Sequence, residues 1–103
     1  MLDPITITIF ISLFGGAVVT VVALLSGAMV RDYVRAKRIA ATHTTDTAAA
    51  MRQQLADGKY RVAVGFLKGK TEIVDRKEWE ASTLDDELKA LLPKNNELIK
   101  IVT

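Results

Sequence analysis

Residues 5–30 are the longest continuous apolar stretch of the sequence and read ITITIFISLFGGAVVTVVALLSGAMV. These 26 positions contain no charged residue and no His, Asn, Gln or Pro. As a helix the stretch would extend roughly 39 Å, more than the ~30 Å hydrocarbon core of a bilayer. A chain of 103 residues has little interior in which to bury a helix that is apolar on every side. The stretch therefore predicts a transmembrane anchor over residues 1–30.

A cleaved secretory signal is the alternative interpretation of this stretch. Such a signal begins with positive charge and has an apolar core of only ~7–15 residues. This chain begins with an acid at Asp3, and the bases come after the apolar run: Arg31, Arg35, Lys37 and Arg38. Bases beside a span stay on the cytoplasmic side and also attract anionic lipid. We expect a retained single-pass anchor in a plasma (inner) or other energy-transducing membrane, with the N-terminus outside and residues 31–103 in the cytoplasm.

Small residues recur inside the apolar run at spacings of four, four, three and four. In a helix these positions share one face, where a second helix could approach closely. The sequence predicts that this face packs against another helix, either of a second copy or of a different protein. Its members are Ser12, Gly16, Thr20, Ala23 and Gly27.

Residues 31–58 follow as a basic juxtamembrane stalk. Arg31 to Ala41 contains no helix breaker, whereas the Thr-rich residues 42–47 weaken or interrupt a helix. Asp46 is a suitable cap for a second helix over residues 47–56, which Gly58 would close. These features predict a helical stalk.

Residues 59–103 have the pattern of a small α+β domain. Alternation predicts strands over 60–67 and from 71 to 75 or beyond. Hydroxyls and acids over 82–86 predict a helix start, and the helix shows a leucine face before it ends at Pro93. A third strand is expected over 97–102. The predicted fold is thus a single-pass transmembrane α-helix, a helical stalk and a ββαβ domain with a three-stranded sheet.

No set of residues predicts catalysis or a bound cofactor. His43 is the single histidine, lies in a polar stretch and has no second metal ligand at a suitable spacing. The consecutive acids Asp85, Asp86 and Glu87 suit a helix start better than a catalytic pair. Gly65 and Gly69 match no phosphate-loop spacing. There is no cysteine. We therefore predict no enzyme, no cofactor and no metal.

The charge balance disfavours nucleic acid as a partner. Residues 59–103 contain nine bases and eight acids, a net charge of +1. A surface that follows phosphates needs a concentrated positive excess. No small-molecule substrate is evident either, and the bilayer is the expected non-protein partner.

These observations predict a non-catalytic accessory or assembly subunit of a larger membrane protein complex. Forty-five residues without a disulfide or metal make a marginal core, so the C-terminal domain is expected to depend on a partner. A membrane-tethered adaptor and a homo-oligomeric scaffold that recruits a soluble partner are the alternatives. Expected partners are other membrane protein subunits or further copies of the chain.

Overall fold

The fold is built on one five-stranded sheet. A computed structural model describes residues 8, 19–40, 46–68 and 72–101, with only the backbone at 39 and 40. In chain order the elements are β1 (Val19–Leu25), α1 (Gly27–Ala40), β2 (Thr47–Gln54), β3 (Tyr60–Lys68), β4 (Glu72–Leu84), α2 (Asp86–Leu91) and β5 (Ile99–Lys100). The strand order is β1-β4-β3-β2-β5. β1 is parallel to β4, and the other neighbours are antiparallel.

The predicted transmembrane anchor is wrong. Residues 19–25 of the apolar run form β1, and no helix in the described ranges is long and apolar enough to cross a membrane. The physical reason is local: residues 18–22 read Val-Val-Thr-Val-Val, and β-branched side chains fit a pleated strand better than a helix. The predicted localisation, with an outer N-terminus and a cytoplasmic domain, depended on that anchor and is wrong with it.

The helical stalk is also wrong in its second half. The helix expected from Arg31 is present as part of α1, but residues 47–54 form β2 instead of a helix. Four consecutive side chains of β2 are buried: Ala48, Ala49, Ala50 and Met51. A strand covered on both faces buries consecutive residues in this way, and the packing overrides the high helix propensity of alanine.

The C-terminal elements follow the predicted order of strand, strand, helix and strand, yet the three-stranded sheet is wrong. β5 pairs with β2, through Ala49–Lys100 and Ala50–Ile99, and not with β3 or β4. β4 runs to Leu84, so Ser82 and Thr83 lie in a strand. The helix cap is Asp85, which follows them.

The main core lies between one face of the sheet and the two helices. α1 contributes Val30 and Val34, and α2 with the residue after it contributes Leu88 and Leu92. They pack on side chains of the central strands, chiefly Val62, Val64, Phe66, Trp79 and Ala81. A second buried cluster, Ala49, Met51, Ala63, Leu67 and Leu98, lies apart from it. Glu78 is opposite Ala63 in the sheet and is completely buried.

Asp85 joins the ends of β1 and β4 to the starts of both helices. Its carboxylate accepts hydrogen bonds from the backbone N–H of Leu88 (2.9 Å) and of Gly27 (3.1 Å). Its own N–H donates to the carbonyl of Leu25 (3.0 Å). A Cβ at position 27 would lie 2.6 Å from Cδ of Glu87, so glycine permits this close approach. The junction holds the C-terminal end of β1 in place.

Candidate functional site

The outer edge of β1 is the first candidate site. β1 pairs with β4 on one side, and no strand among the described residues pairs with its other side. Val21 is 70% exposed and Leu24 is 50% exposed. The strand VTVVALL contains no charge, no Pro and no Gly. An edge of this composition offers unpaired backbone groups and apolar side chains to a further strand.

At the opposite end of the sheet the chain covers the outer side of β2 and leaves the two-residue β5 as the edge strand. Beyond the two residues of β5, the N–H of Ile101 donates to the carbonyl of Ala48 and that of Asn96 to the carbonyl of Arg52, both at 2.8 Å. The guanidinium of Arg52 donates to the carbonyl of Pro93 (2.8 Å). Asn96 has φ of 60°, a left-handed conformation that asparagine tolerates, and it turns the chain along β2. The outer side of β2 is therefore occupied over much of its length.

A polar cleft beside β1 is the second candidate site. It has a volume of about 420 Å³ and lies where β1, α1 and β4 meet. The ammonium of Lys77 donates to the hydroxyl of Thr20 at 3.2 Å, which connects β4 to β1. The lining residues are Thr20, Tyr33, Lys37, Asp75, Arg76 and Lys77.

Trp79 lies next to this cleft and contacts two of its lining residues, Tyr33 and Lys77. Its indole is almost fully buried, with 3% of the residue exposed. The ring of Tyr33 meets it edge-on at a centroid distance of 5.8 Å, and the ammonium of Lys77 lies 5.4 Å from its centroid. Both contacts are favourable and hold the two polar side chains in a defined position.

Tyr33 remains protonated over the whole physiological pH range. Burial of the ring, together with the negative charge of Asp75, raises the pKa of Tyr33 to about 12. Its hydroxyl therefore keeps the proton that it can donate to a ligand in the cleft.

The residues of the predicted helix-packing face have separate environments in the structure. Ser12 and Gly16 lie outside the described residues. Thr20 and Ala23 are exposed in β1, where a spacing of three does not place side chains on one face. Gly27 is the first residue of α1 and faces Glu87.

The four bases assigned to the membrane surface all lie on α1, and three of them make contacts with other groups of the chain. Arg31 forms an ion pair with Glu87 of α2. Arg35 lies 3.9 Å from Asp32, with both side chains exposed. Arg38 donates to the carbonyl of Asp46 (3.1 Å) and lies over the ring of Phe66. Lys37 faces the polar cleft.

Sequence reasoning missed the convergence of α1 and β4 at this cleft. The signal that could have found it is the alternation of Asp75, Lys77 and Trp79 along one strand, which places all three on the same face. His43 lies outside the described residues. Within the described ranges, no three His, Cys, Asp or Glu side chains are grouped so that they could hold a metal ion.

Comparison of the chain with protein-family models, with curated proteins and with solved structures finds no match.

Proposed function

We propose that this chain is a non-catalytic assembly module, a homo-oligomeric scaffold in which β1 of one copy pairs with β1 of a second copy. The observation that carries the proposal is the exposed, uncharged edge of β1, with Val21 70% and Leu24 50% exposed. Pairing would satisfy the outer backbone groups of the strand, and neighbouring side chains of the added strand would cover part of Val21 on one face of the sheet and part of Leu24 on the other.

A second copy is the occupant that the composition of β1 favours. The seven residues combine high β-propensity with no net charge, which is typical of strands that pair with themselves. A strand without charge makes no repulsive contact with its own copy and gives no charged partner a reason to bind. Antiparallel pairing about a two-fold axis uses the same patch on both copies, the arrangement most common among homo-oligomers.

Closure of the opposite edge supports a two-fold dimer over an open fibre. The outer side of β2 is occupied by β5 and by the hydrogen bonds of Asn96 and Ile101. Among the described strands, β1 is then the one long open edge, because the edge strand at the other end, β5, has only two residues. When β1 of one copy pairs with β1 of the other, the long open edge of each copy is used. The combined sheet then ends at the β5 strand of each copy.

The test is the oligomeric state of the purified full-length chain. Sedimentation velocity over a concentration series is expected to show a dimer for the natural sequence. The double variant Val21→Lys, Leu24→Lys is expected to be monomeric. Lysines on an edge strand repel the same lysines of a second copy and so prevent pairing. Both positions are at least half exposed, so the free energy of unfolding of the monomer should change by no more than about 1 kcal/mol each.

Gln54→Lys is the control for an added lysine away from β1, since it places one positive charge at an exposed position of β2 and should leave the dimer intact. A natural chain that stays monomeric up to about 1 mM overturns the proposal. In that case another part of this chain covers the edge, or a different protein binds there. Only the second outcome agrees with the adaptor and accessory-subunit hypotheses.

A further inference from the structure

The polar cleft has the charge and the donors of an anion site. Among its lining groups are three bases and one acid, a net charge of +2. Within the described part of the chain, neither Lys37 nor Lys77 has a carboxylate within ion-pair distance. Two ammonium groups that face one concave surface attract anions strongly, because the walls of a cleft focus their field.

We propose that this cleft binds a small phosphate monoester that carries hydroxyl groups. The phosphate would lie between the ammonium groups of Lys37 and Lys77. The hydroxyls of Tyr33 and Thr20 line the same space and have protons to donate. Hydrogen bonds from charged and neutral donors to phosphate oxygens are short and strong.

Asp75 and the volume of the cleft favour a phosphate ester as the ligand, in preference to a free phosphate ion. About 420 Å³ falls within the range of small-molecule pockets, and a phosphate ion alone would fill only part of it. A carboxylate repels phosphate but accepts hydrogen bonds from hydroxyl groups. Asp75 therefore suits the alcohol part of the ligand, as in a phosphorylated polyol.

The donors are held in place before any ligand arrives. Trp79 fixes Tyr33 through an edge-on ring contact and Lys77 through a cation–π contact. Thr20 accepts a hydrogen bond from Lys77 and keeps its own proton. A preorganised site loses less side-chain entropy on binding.

The experiment is titration calorimetry on the full-length chain with glycerol 3-phosphate, inorganic phosphate and glycerol, at constant ionic strength. We expect saturable binding of glycerol 3-phosphate with a dissociation constant on the order of 0.1–1 mM. Inorganic phosphate is expected to bind about fivefold more weakly, and glycerol not at all. Equal affinities for the two phosphates would overturn the assignment of an ester. Absence of saturable binding up to about 10 mM would overturn the site itself.

Variants locate the binding. Lys37→Gln and Lys77→Gln should each weaken binding of glycerol 3-phosphate about tenfold, and Tyr33→Phe about threefold, with the ring contact to Trp79 kept. Tyr33→Phe and Lys37→Gln preserve the test if Lys77→Gln fails to fold. Lys100→Gln is the matched control, because Lys100 is exposed on β5 at the far edge of the sheet. An equal loss in Lys100→Gln would mean attraction by overall charge alone and would overturn the proposal.

Discussion

The two edges of the sheet differ in how the chain treats them. At the β2 edge, β5 and the turn at Asn96 supply backbone partners, and Arg52 adds a side-chain hydrogen bond to Pro93. At the β1 edge, the described chain supplies no partner strand, and Val21 and Leu24 are exposed. An edge that is not meant to pair is normally shortened, charged or covered. Within the described ranges the β2 edge is covered, whereas β1 is seven residues long, uncharged and without a covering strand, and this contrast is the basis of the proposed self-pairing.

The largest effect should come from removing the apolar anchor of the closed edge. Ile101 is 5% exposed and packs in the main core, so Ile101→Ala is expected to lower the free energy of unfolding by about 2–4 kcal/mol. Leu24→Ala at the open edge should cost less than about 1 kcal/mol, because half of Leu24 is already in water. Urea denaturation of dilute, monomeric samples measures both. Similar losses in the two variants would show that the edges are not packed differently.

The junction at the end of β1 comes next in magnitude. Asp85→Ala removes the hydrogen bonds to Leu88 and Gly27, and an expected loss of about 1–2 kcal/mol follows from the missing helix cap. Asp86→Ala is the matched control, since Asp86 is the neighbouring acid and is exposed. It should cost no more than about 0.5 kcal/mol. An equal cost in both variants would mean that the charge near the helix start matters and the cap does not.

A smaller effect is expected from opening the closed edge without touching its core. Arg52→Met removes the guanidinium that donates to the carbonyl of Pro93 and lies over the ring of Tyr60. The expected loss is about 0.5–1.5 kcal/mol, from one exposed hydrogen bond and a weak cation–π contact. Hydrogen exchange at the amides of Asn96 and Ile101 should become faster, and exchange in β3 should not change. Unchanged exchange at both amides would show that Arg52 does not help to close this edge.

At neutral pH no effect is expected from the last group, Tyr33, which changes stability near the open edge only at alkaline pH. Tyr33 has a pKa of about 12 in the folded chain, against about 10 when unfolded. Below pH 10 the phenol is neutral in both states and the folded state has its full stability. As the pH rises from 10 to 12 the unfolded chain loses this proton first, so stability falls. Tyr33→Phe should make that fall shallower.

Tyrosinate absorbance gives the direct measurement of this shift. A component with a pKa near 12 should be present in the natural chain and in Tyr60→Phe, and it should be lost in Tyr33→Phe. Asp75→Asn should move it downward, because the charge of Asp75 contributes to the raised pKa. A component that does not move in Asp75→Asn would contradict the placement of the two groups beside each other.

The sequence predicts the elements of the C-terminal half better than the N-terminal half, for a physical reason. From Tyr60 onward, apolar residues alternate with polar ones in the strands and recur at helical spacing along the leucine face. The two spacings distinguish strands from the helix. In residues 5–30 there is no such contrast, because a continuous apolar run suits a buried strand as well as a helix. The β-branched residues Val19 to Val22 were the available indication of a strand.

Pairing between distant strands limits what local patterns can predict. β2 is rich in alanine, a helix former, and becomes a strand only because β3 and β5 lie on its two sides. The cleft depends on the parallel pairing of β1 with β4, which brings Thr20 to Lys77 across 57 positions of sequence. No local pattern encodes that register. From local sequence alone, Lys37 therefore indicates membrane orientation and gives no sign of belonging to a site.

The identity of the strand beside β1 can be measured directly by isotope-filtered NMR. A sample that mixes ¹³C,¹⁵N-labelled and unlabelled full-length chains reports only contacts between different copies. The account predicts intermolecular NOEs that join β1 residues of one copy to β1 residues of the other, centred near Val22, and their loss in Val21→Lys, Leu24→Lys. If every NOE to the outer side of β1 arises within a single chain, the edge is covered by that chain itself and the proposed self-pairing is contradicted.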